Sequence, residues 1–223
     1  MHIPDGYLGP QTCGTLWAAM LPLWAIAARA VRKTLRSKQV PLLAVSAAFS
    51  FVVMMLNIPI PGGTTGHATG SVLAAILVGP WAACIALTVT LVVQALLFGD
   101  GGILAVGANC FNMGFLMVFA GYYTYRLASA GSSPQSKRRI IAGGLAGYVG
   151  LNVAAFATAV EFGLQPLLHH TPSGQPLYSP YGLNVAVPAM MLQHLLVFGW
   201  FEAVLTALVI KYLQRQNPEL IDG

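Results

Sequence analysis

The chain has 223 residues, of which 57% are apolar and only 8% charged, with a formal net charge of +5. A soluble domain carries about a quarter charged residues, so this composition excludes an ordinary water-soluble enzyme and points to a membrane protein. No polar stretch is long enough for a separate soluble domain, so residues 1–223 are expected to form one integral membrane domain. The spanning elements are expected to be α-helices, because lipid offers no partners to unpaired backbone groups. The apolar runs also lack the alternation of barrel strands.

Residues 1–10 are polar and turn-rich and lack the basic leader of a secretory signal. His2 is bulky and hinders removal of the initiator Met, so the mature chain is expected to start at Met1. Seven spans follow, at about 11–31, 40–57, 67–79, 81–98, 104–128, 139–165 and 185–213. Pro22 is expected to kink the first, and Gly79-Pro80 breaks the third from the fourth. Residues 162–184 contain Pro166, Pro172, Pro176 and Pro180 and read as an ordered external loop or a plain solvent loop.

Positive charge sets the orientation. Arg29, Arg32, Lys33, Arg36 and Lys38 follow the first span. Arg126, Lys137, Arg138 and Arg139 lie between the fifth and sixth, and Lys211 and Arg215 close the seventh. Cytoplasmic loops concentrate Lys and Arg, so all three clusters are expected inside, with the N-terminus outside and the C-terminus cytoplasmic. The basic balance therefore reflects topology rather than a nucleic-acid face. The opposite side holds His2, Asp5, His67, Asp100, His169 and His170 and lacks Lys and Arg, which suits cation entry.

The outer side also carries the candidate chemistry. An α-amine titrates near pH 8, so a metal displaces its proton at little cost. The Met1 amine, the His2 amide nitrogen and His2 Nδ1 close a five- and a six-membered chelate ring. Alone, His2 reads equally as a solvated terminal residue. Ile3-Pro4-Asp5-Gly6 supplies a turn that folds the terminus back onto the bundle. His67 ends a run containing Pro59, Pro61, Gly62, Gly63 and Gly66 at the outer start of a span. It reads as a ligand or as a capping residue, and the topology puts it beside the terminus. Thr64 and Thr65 are candidates to cap that helix or to hydrogen-bond a ligating ring. One amine, one amide and two imidazoles make a nitrogen-only set that favours planar Ni(II) or Cu(II) over Zn, Mg or Ca.

Other polar groups are weaker candidates. Glu161, His194 and Glu202 lie in or near spans, where ionisable groups are candidate functional sites, although His194 also reads as a bridge between helices. Gln94 and Asn109 are possible supports for the ligands; with Asn112 they also read as interhelical contacts. Ala44-x-x-x-Ala48 and Gly143-x-x-x-Gly147 allow close helix approach, either within the bundle or to a partner. Cys13, Cys84 and Cys110 form no CxxC motif and read as small core residues. GxxxxGK[ST], HExxH and GxSxG are all missing, so ATPase, zinc-protease and serine-hydrolase chemistry have no motif here.

The start Met1-His2-Ile3-Pro4-Asp5-Gly6-Tyr7-Leu8, the segment from Asn57 to His67, and Gly79-Pro80-Trp81-Ala82 together resemble the NikM/CbiM family. Its members are nickel- or cobalt-specific substrate-binding S components of energy-coupling factor transporters. The resemblance covers essentially the whole chain. It implies a six-helix core with an added N-terminal helix, in agreement with the seven spans counted above. It implies metal ligation by Met1, His2 and His67 and contact with a transmembrane coupling protein through Ala44 and Ala48. It further implies two cytoplasmic ATPases, a small accessory membrane protein and residence in a prokaryotic cytoplasmic membrane. The four-nitrogen set favours Ni(II) as substrate; Co(II) uptake for cobalamin synthesis is the alternative. A self-sufficient metal permease is a different class, and it needs a polar path that the inner halves of the spans do not supply. A haem protein using His169 or His194 is a third class.

Overall fold

The computed structural model describes residues 1–34, 39–60 and 64–221. The chain is mostly helical. Helices α1 (Pro10–Thr34), α2 (Val40–Met54), α3 (Ser71–Val78), α4 (Pro80–Val93), α5 (Val106–Asn109), α6 (Met117–Ala128), α7 (Lys137–Leu168), α8 (Leu183–Gln193) and α9 (Gly199–Gln216) follow in order. Strands β1 (Ile58–Ile60) and β2 (Thr64–Gly66) pair antiparallel between α2 and α3, with Ile58 opposite Gly66 and Ile60 opposite Thr64. Wide π turns continue α4 through Gln94–Phe98, join α5 to α6 through Cys110–Leu116, and join α8 to α9 through His194–Phe198.

Among the described residues, four helical stretches are long and apolar enough to cross a membrane: Pro10–Lys33, Pro80–Phe98, Lys137–Leu168 and Leu183–Gln216. The α2 helix is shorter but apolar throughout. The α3 helix is only eight residues, about 12 Å at 1.5 Å per residue, well short of a hydrocarbon core of roughly 30 Å. The sequence expectation began this helix at residue 67; instead β2 and an extended segment occupy residues 64–70. Pro22 lies within a continuous α1.

Large apolar side chains face outward along the helices, among them Leu21, Val45, Val52, Leu127, Phe156 and Leu208. That is the pattern of a surface solvated by lipid rather than water. The centre is built from small and flexible residues: Ala75, Ala83, Cys84, Ala146, Ala154 and Ala155, with Met20, Met54, Met113 and Met117 between them. Helix α7 lies against α6, α8 and α9. A Cβ added at Gly143 would come within 2.2 Å of Ile210 Cδ1, and one at Gly147 within 3.0 Å of the Glu202 carbonyl. The small-residue stripe of α7 thus packs inside the bundle against α9. Ala44 and Ala48 lie on the exposed face of α2.

Basic residues gather at one end. A cavity of about 540 Å³ there is lined by residues that include Gln39, Gly79, Arg126, Ser129 and Arg139. Gln214 of α9 donates to the Pro134 and Ser136 carbonyls at the same end, at 2.7 and 2.9 Å. Arg36 and Lys38 of the first basic loop lie outside the described residues. The chain's N-terminal segment lies at the other end, where α4 finishes and α5 begins.

Candidate metal centre

Met1, His2, Ile3 and Leu8 are buried although the first eight residues form no helix. Ile3 is the pivot. Its N–H donates to Asn109 Oδ1 at 2.8 Å, and its carbonyl accepts from Asn109 Nδ2 at 3.1 Å and from Gly102 N at 2.8 Å. The Asp5 carboxylate accepts from Ile103 N and Leu104 N, both at 2.9 Å. A Cβ at Gly102 would sit 2.2 Å from Asp5 Oδ1, so only glycine permits this approach. The last turn of α7 and the residues beyond it cover the outside: Gln165 Oε1 accepts from Gly9 N at 2.9 Å, and the Tyr7 carbonyl accepts from Ser179 N at 3.1 Å. The connection expected at 162–184 is shorter, since α7 runs to Leu168 and α8 begins at Leu183, and residues 169–182 form an ordered cap over the terminus. His169 belongs to it, close against Gly9, rather than to the ligand cluster.

This anchoring drives Met1 and His2 inward. Met1 is 1% exposed, His2 4% and His67 2%. The Met1 amine donates to the Thr65 carbonyl of β2. The His2 and His67 rings stack with centroids 4.7 Å apart and planes 28° apart. Sequence separation gives no hint of this contact; the hairpin makes it by turning the chain between α2 and α3 back over the terminus.

Hydrogen bonds determine which ring nitrogens are free. His2 Nε2 lies 3.1 Å from Gln94 Oε1, which can only accept, so Nε2 carries the proton and Nδ1 keeps a lone pair. His67 Nδ1 lies 3.0 Å from the Ala68 carbonyl, so Nδ1 is protonated and Nε2 keeps the lone pair. His2 Nδ1 and His67 Nε2 are both buried without a hydrogen-bond partner. Two buried unpaired nitrogens are costly unless something else occupies them. Met1 N, His2 N, His2 Nδ1 and His67 Nε2 form a donor set whose chemistry fits a transition-metal cation.

Burial keeps these bases neutral. Desolvation lowers the Met1 amine from 8.0 to about 5, against the opposing pull of Asp100. Burial and the neighbouring amine lower His2 from 6.5 to about 4. Burial, the amine and His2 push His67 well below its ordinary value. At neutral pH all three present lone pairs rather than protons.

The predicted supporting residues divide. Gln94 holds His2, and Asn109 holds the backbone of Ile3 rather than a ligand ring. Thr65 contributes its carbonyl, not its hydroxyl, and neither Thr64 nor Thr65 caps α3, because both lie in β2. Gly70 occupies the cap position with φ 68° and has no side chain to cap the helix, but Thr69 Oγ1 accepts from Ser71 N at 3.1 Å. Glu202 of α9 completes the cap. It accepts from Thr69 N at 2.6 Å, from Gly70 N at 3.1 and 3.2 Å, and from Thr69 Oγ1 at 3.3 Å. Phe198, four residues before Glu202, fills the space over Gly66, where a Cβ would meet the ring at 2.0 Å. His194, four residues earlier still, is buried with Nδ1 on the Met190 carbonyl at 2.8 Å. One helix face thus grips the segment that carries His67. Sequence marked Glu202 as an ionisable group in a span; its partner, 133 residues away, was not legible there.

Known proteins are similar to this chain along nearly its full length. Residues 2–220 match the family described as "Cobalt uptake substrate-specific transmembrane region". A fused nickel transport protein, NikMN, of Rhodobacter capsulatus is 53% identical over 99% of this chain and 64% of its own length. A probable fused nickel transport protein, LarMN, of Lactiplantibacillus plantarum is 53% identical over 98% of this chain and 66% of its own. The chain therefore spans about two thirds of these fused relatives. The cobalt transport protein CbiM of Sorangium cellulosum is 31% identical over 100% of this chain and 95% of its own. The crystal structure of a truncated transition metal transporter superposes with a TM-score of 0.92 at 56% identity, covering 97% of this chain and 99% of that one.

Proposed function

Because the chain belongs to the NikM/CbiM family of nickel and cobalt transport membrane components, we propose that it is the Ni(II)-binding S component of an energy-coupling factor transporter. The carrying observation is the pair of buried, unpartnered nitrogens, His2 Nδ1 and His67 Nε2, beside the buried Met1 amine. Met1 N, the His2 amide nitrogen, His2 Nδ1 and His67 Nε2 take the ion as substrate. Gln94 fixes the tautomer of His2, and the Ala68 carbonyl fixes that of His67, as the outer partners of metal-bound imidazoles do. A planar four-nitrogen set favours nickel. Cobalt is the second reading, favoured by the family's description and by the CbiM relatives.

In this reading seven segments cross a prokaryotic cytoplasmic membrane, the third made of α3 and the extended residues that precede it, and six of them form the S-component core. The metal site faces outward and the basic end faces the cytoplasm. The chain supplies no nucleotide motif, so release depends on two ATPases that act through a transmembrane coupling protein, with a small accessory membrane protein. The exposed Ala44 and Ala48 face of α2 is the contact for the coupling protein. Rapid uptake by this chain without ATPases would favour a self-sufficient permease instead.

The test is metal analysis and Ni(II) and Co(II) titration of the purified chain with a free N-terminus. One nickel per chain, bound more tightly than cobalt, is expected. Both His2→Ala and His67→Ala should lose most of that affinity, and wild-type binding by either would contradict the site. The pH profile gives a second check. In the docked structure the amine and His2 are neutral above pH of about 5. The proton released between pH 8 and 5 is then that of the His2 amide, and nickel affinity should fall about tenfold per pH unit. Below pH 5 protonation of the amine, and then of His2, steepens the fall. A flat profile from pH 8 to 5 would exclude an ionised amide ligand.

A further inference from the structure

The four nitrogens leave a charge unbalanced. A dication held by one ionised amide and three neutral nitrogens keeps one positive charge, in a site where Met1, His2 and His67 are all under 5% exposed. A buried charge without a partner is costly. Asp100 stands beside it. Its Oδ1 lies 3.5 Å from His2 Nδ1, and its side chain is 18% exposed. An oxygen lone pair facing a nitrogen lone pair gains nothing in the empty site. The same contact becomes favourable when a cation takes up the nitrogen.

The placement of Asp100 is built rather than incidental. Its other oxygen accepts from Asn57 Nδ2 at 2.8 Å. Its backbone N–H donates to the Gln94 carbonyl at 3.1 Å, and the Gln94 side chain holds the far nitrogen of His2. Gly99 and Gly101 flank it at φ 65° and 89°, conformations that other residues rarely adopt. A Cβ at Gly101 would come within 3.4 Å of His2 Cδ2, so this turn wraps the ring closely. Asp5 and Glu161, also acidic and toward this end, are occupied by two backbone N–H groups and by Asn112 Nδ2 respectively.

We propose that Asp100 is the counter-charge of the metal site, held at His2 Nδ1 by Asn57 and the Gln94–Gly101 turn. The inference rests on the four-nitrogen reading above. Asp100 cancels the one positive charge that a dication and the ionised amide leave. Its partial exposure also puts the carboxylate at the outer edge, where a hydrated cation first meets the site.

The test titrates Ni(II) into Asp100→Asn, Asp100→Glu and wild type in the full chain with its native N-terminus. Nickel affinity should fall roughly 10- to 100-fold in Asp100→Asn, the usual effect of losing a partner behind a metal ligand. Asp100→Glu keeps the charge and should recover most of that affinity. A loss in Asp100→Glu as large as in Asp100→Asn would mean a packing role and overturn the proposal, as would unchanged nickel affinity in Asp100→Asn. Asp100→Ser is a second charge-removing variant should the amide misfold, with the same expected loss. Asn57→Ala keeps the charge and should lose less than Asp100→Asn; an equal loss would also overturn the proposal. Failure of the underlying site is distinguishable, because it is read from wild-type nickel binding by His67→Ala.

Discussion

Adding one residue before Met1 is expected to lower nickel affinity roughly 100- to 1000-fold. The extension converts the amine into an amide, which lacks a basic lone pair and breaks the five-membered chelate ring. It also has nowhere to go: Met1 is 1% exposed and its nitrogen donates to the Thr65 carbonyl. Structural metal sites of four ligands bind with roughly 10–16 kcal/mol. One ligand in four is then worth about 2.5–4 kcal/mol, which sets that factor. A cleavable N-terminal tag gives the cleanest measurement. The tagged chain should bind weakly, and removal that regenerates Met1 should restore binding. A tag at the C-terminus should leave affinity unchanged. Equal nickel affinity before and after cleavage would remove the amine from the ligand set. It would leave His2 and His67 as a two-imidazole site with little reason to prefer nickel.

The features legible in the sequence were those with a long period or a covalent origin. The hydropathy of residues 10–34, 80–98, 137–168 and 183–216 is that of spanning helices, and helices occupy those positions. The chelate logic of Met1-His2 needs only bonds within two residues. The hairpin was not legible, because strands of three residues leave no alternation to count and Pro59 lies in one of them. Missing the hairpin also misplaced the start of the third helix and gave Thr64 and Thr65 a capping role that Gly70 and Glu202 fill. Gln94 and Asn109 stood out only as polar residues in apolar runs. The structure separates their roles, one on a ring and one on the backbone next to it. Asp100 and Asn57 looked like ordinary outer-loop residues, since their pairing spans 43 positions. Long-range contacts depend on which helix faces meet, and side-chain packing decides that, not local pattern.

Glu202→Ala should be the most damaging single change away from the four nitrogens. The Glu202 carboxylate is fully buried and accepts from Thr69 N, Gly70 N and Thr69 Oγ1. These are the free donors at the start of α3, where the helix dipole also favours an anion. Alanine leaves two buried N–H groups and a hydroxyl without this acceptor. Each costs about 1–3 kcal/mol, partly recovered by relaxation, so a loss of roughly 3–5 kcal/mol is expected. In a chain of this size that lowers Tm by about 10 °C. Glu202→Gln keeps one acceptor oxygen but turns an NH₂ toward the donors, and should fall between alanine and wild type. The second effect is on the metal. Thr69 and Gly70 follow His67 by two and three residues, so loosening them lets the His67 ring leave its stack on His2. Faster nickel dissociation is expected even where the protein remains folded. If Glu202 acts through His67, Glu202→Ala should change nickel binding little in a His67→Ala background, since the two changes remove one interaction. Additive losses in the double variant would assign Glu202 to global stability alone. An unchanged Tm in Glu202→Ala would show that α3 finds its cap elsewhere.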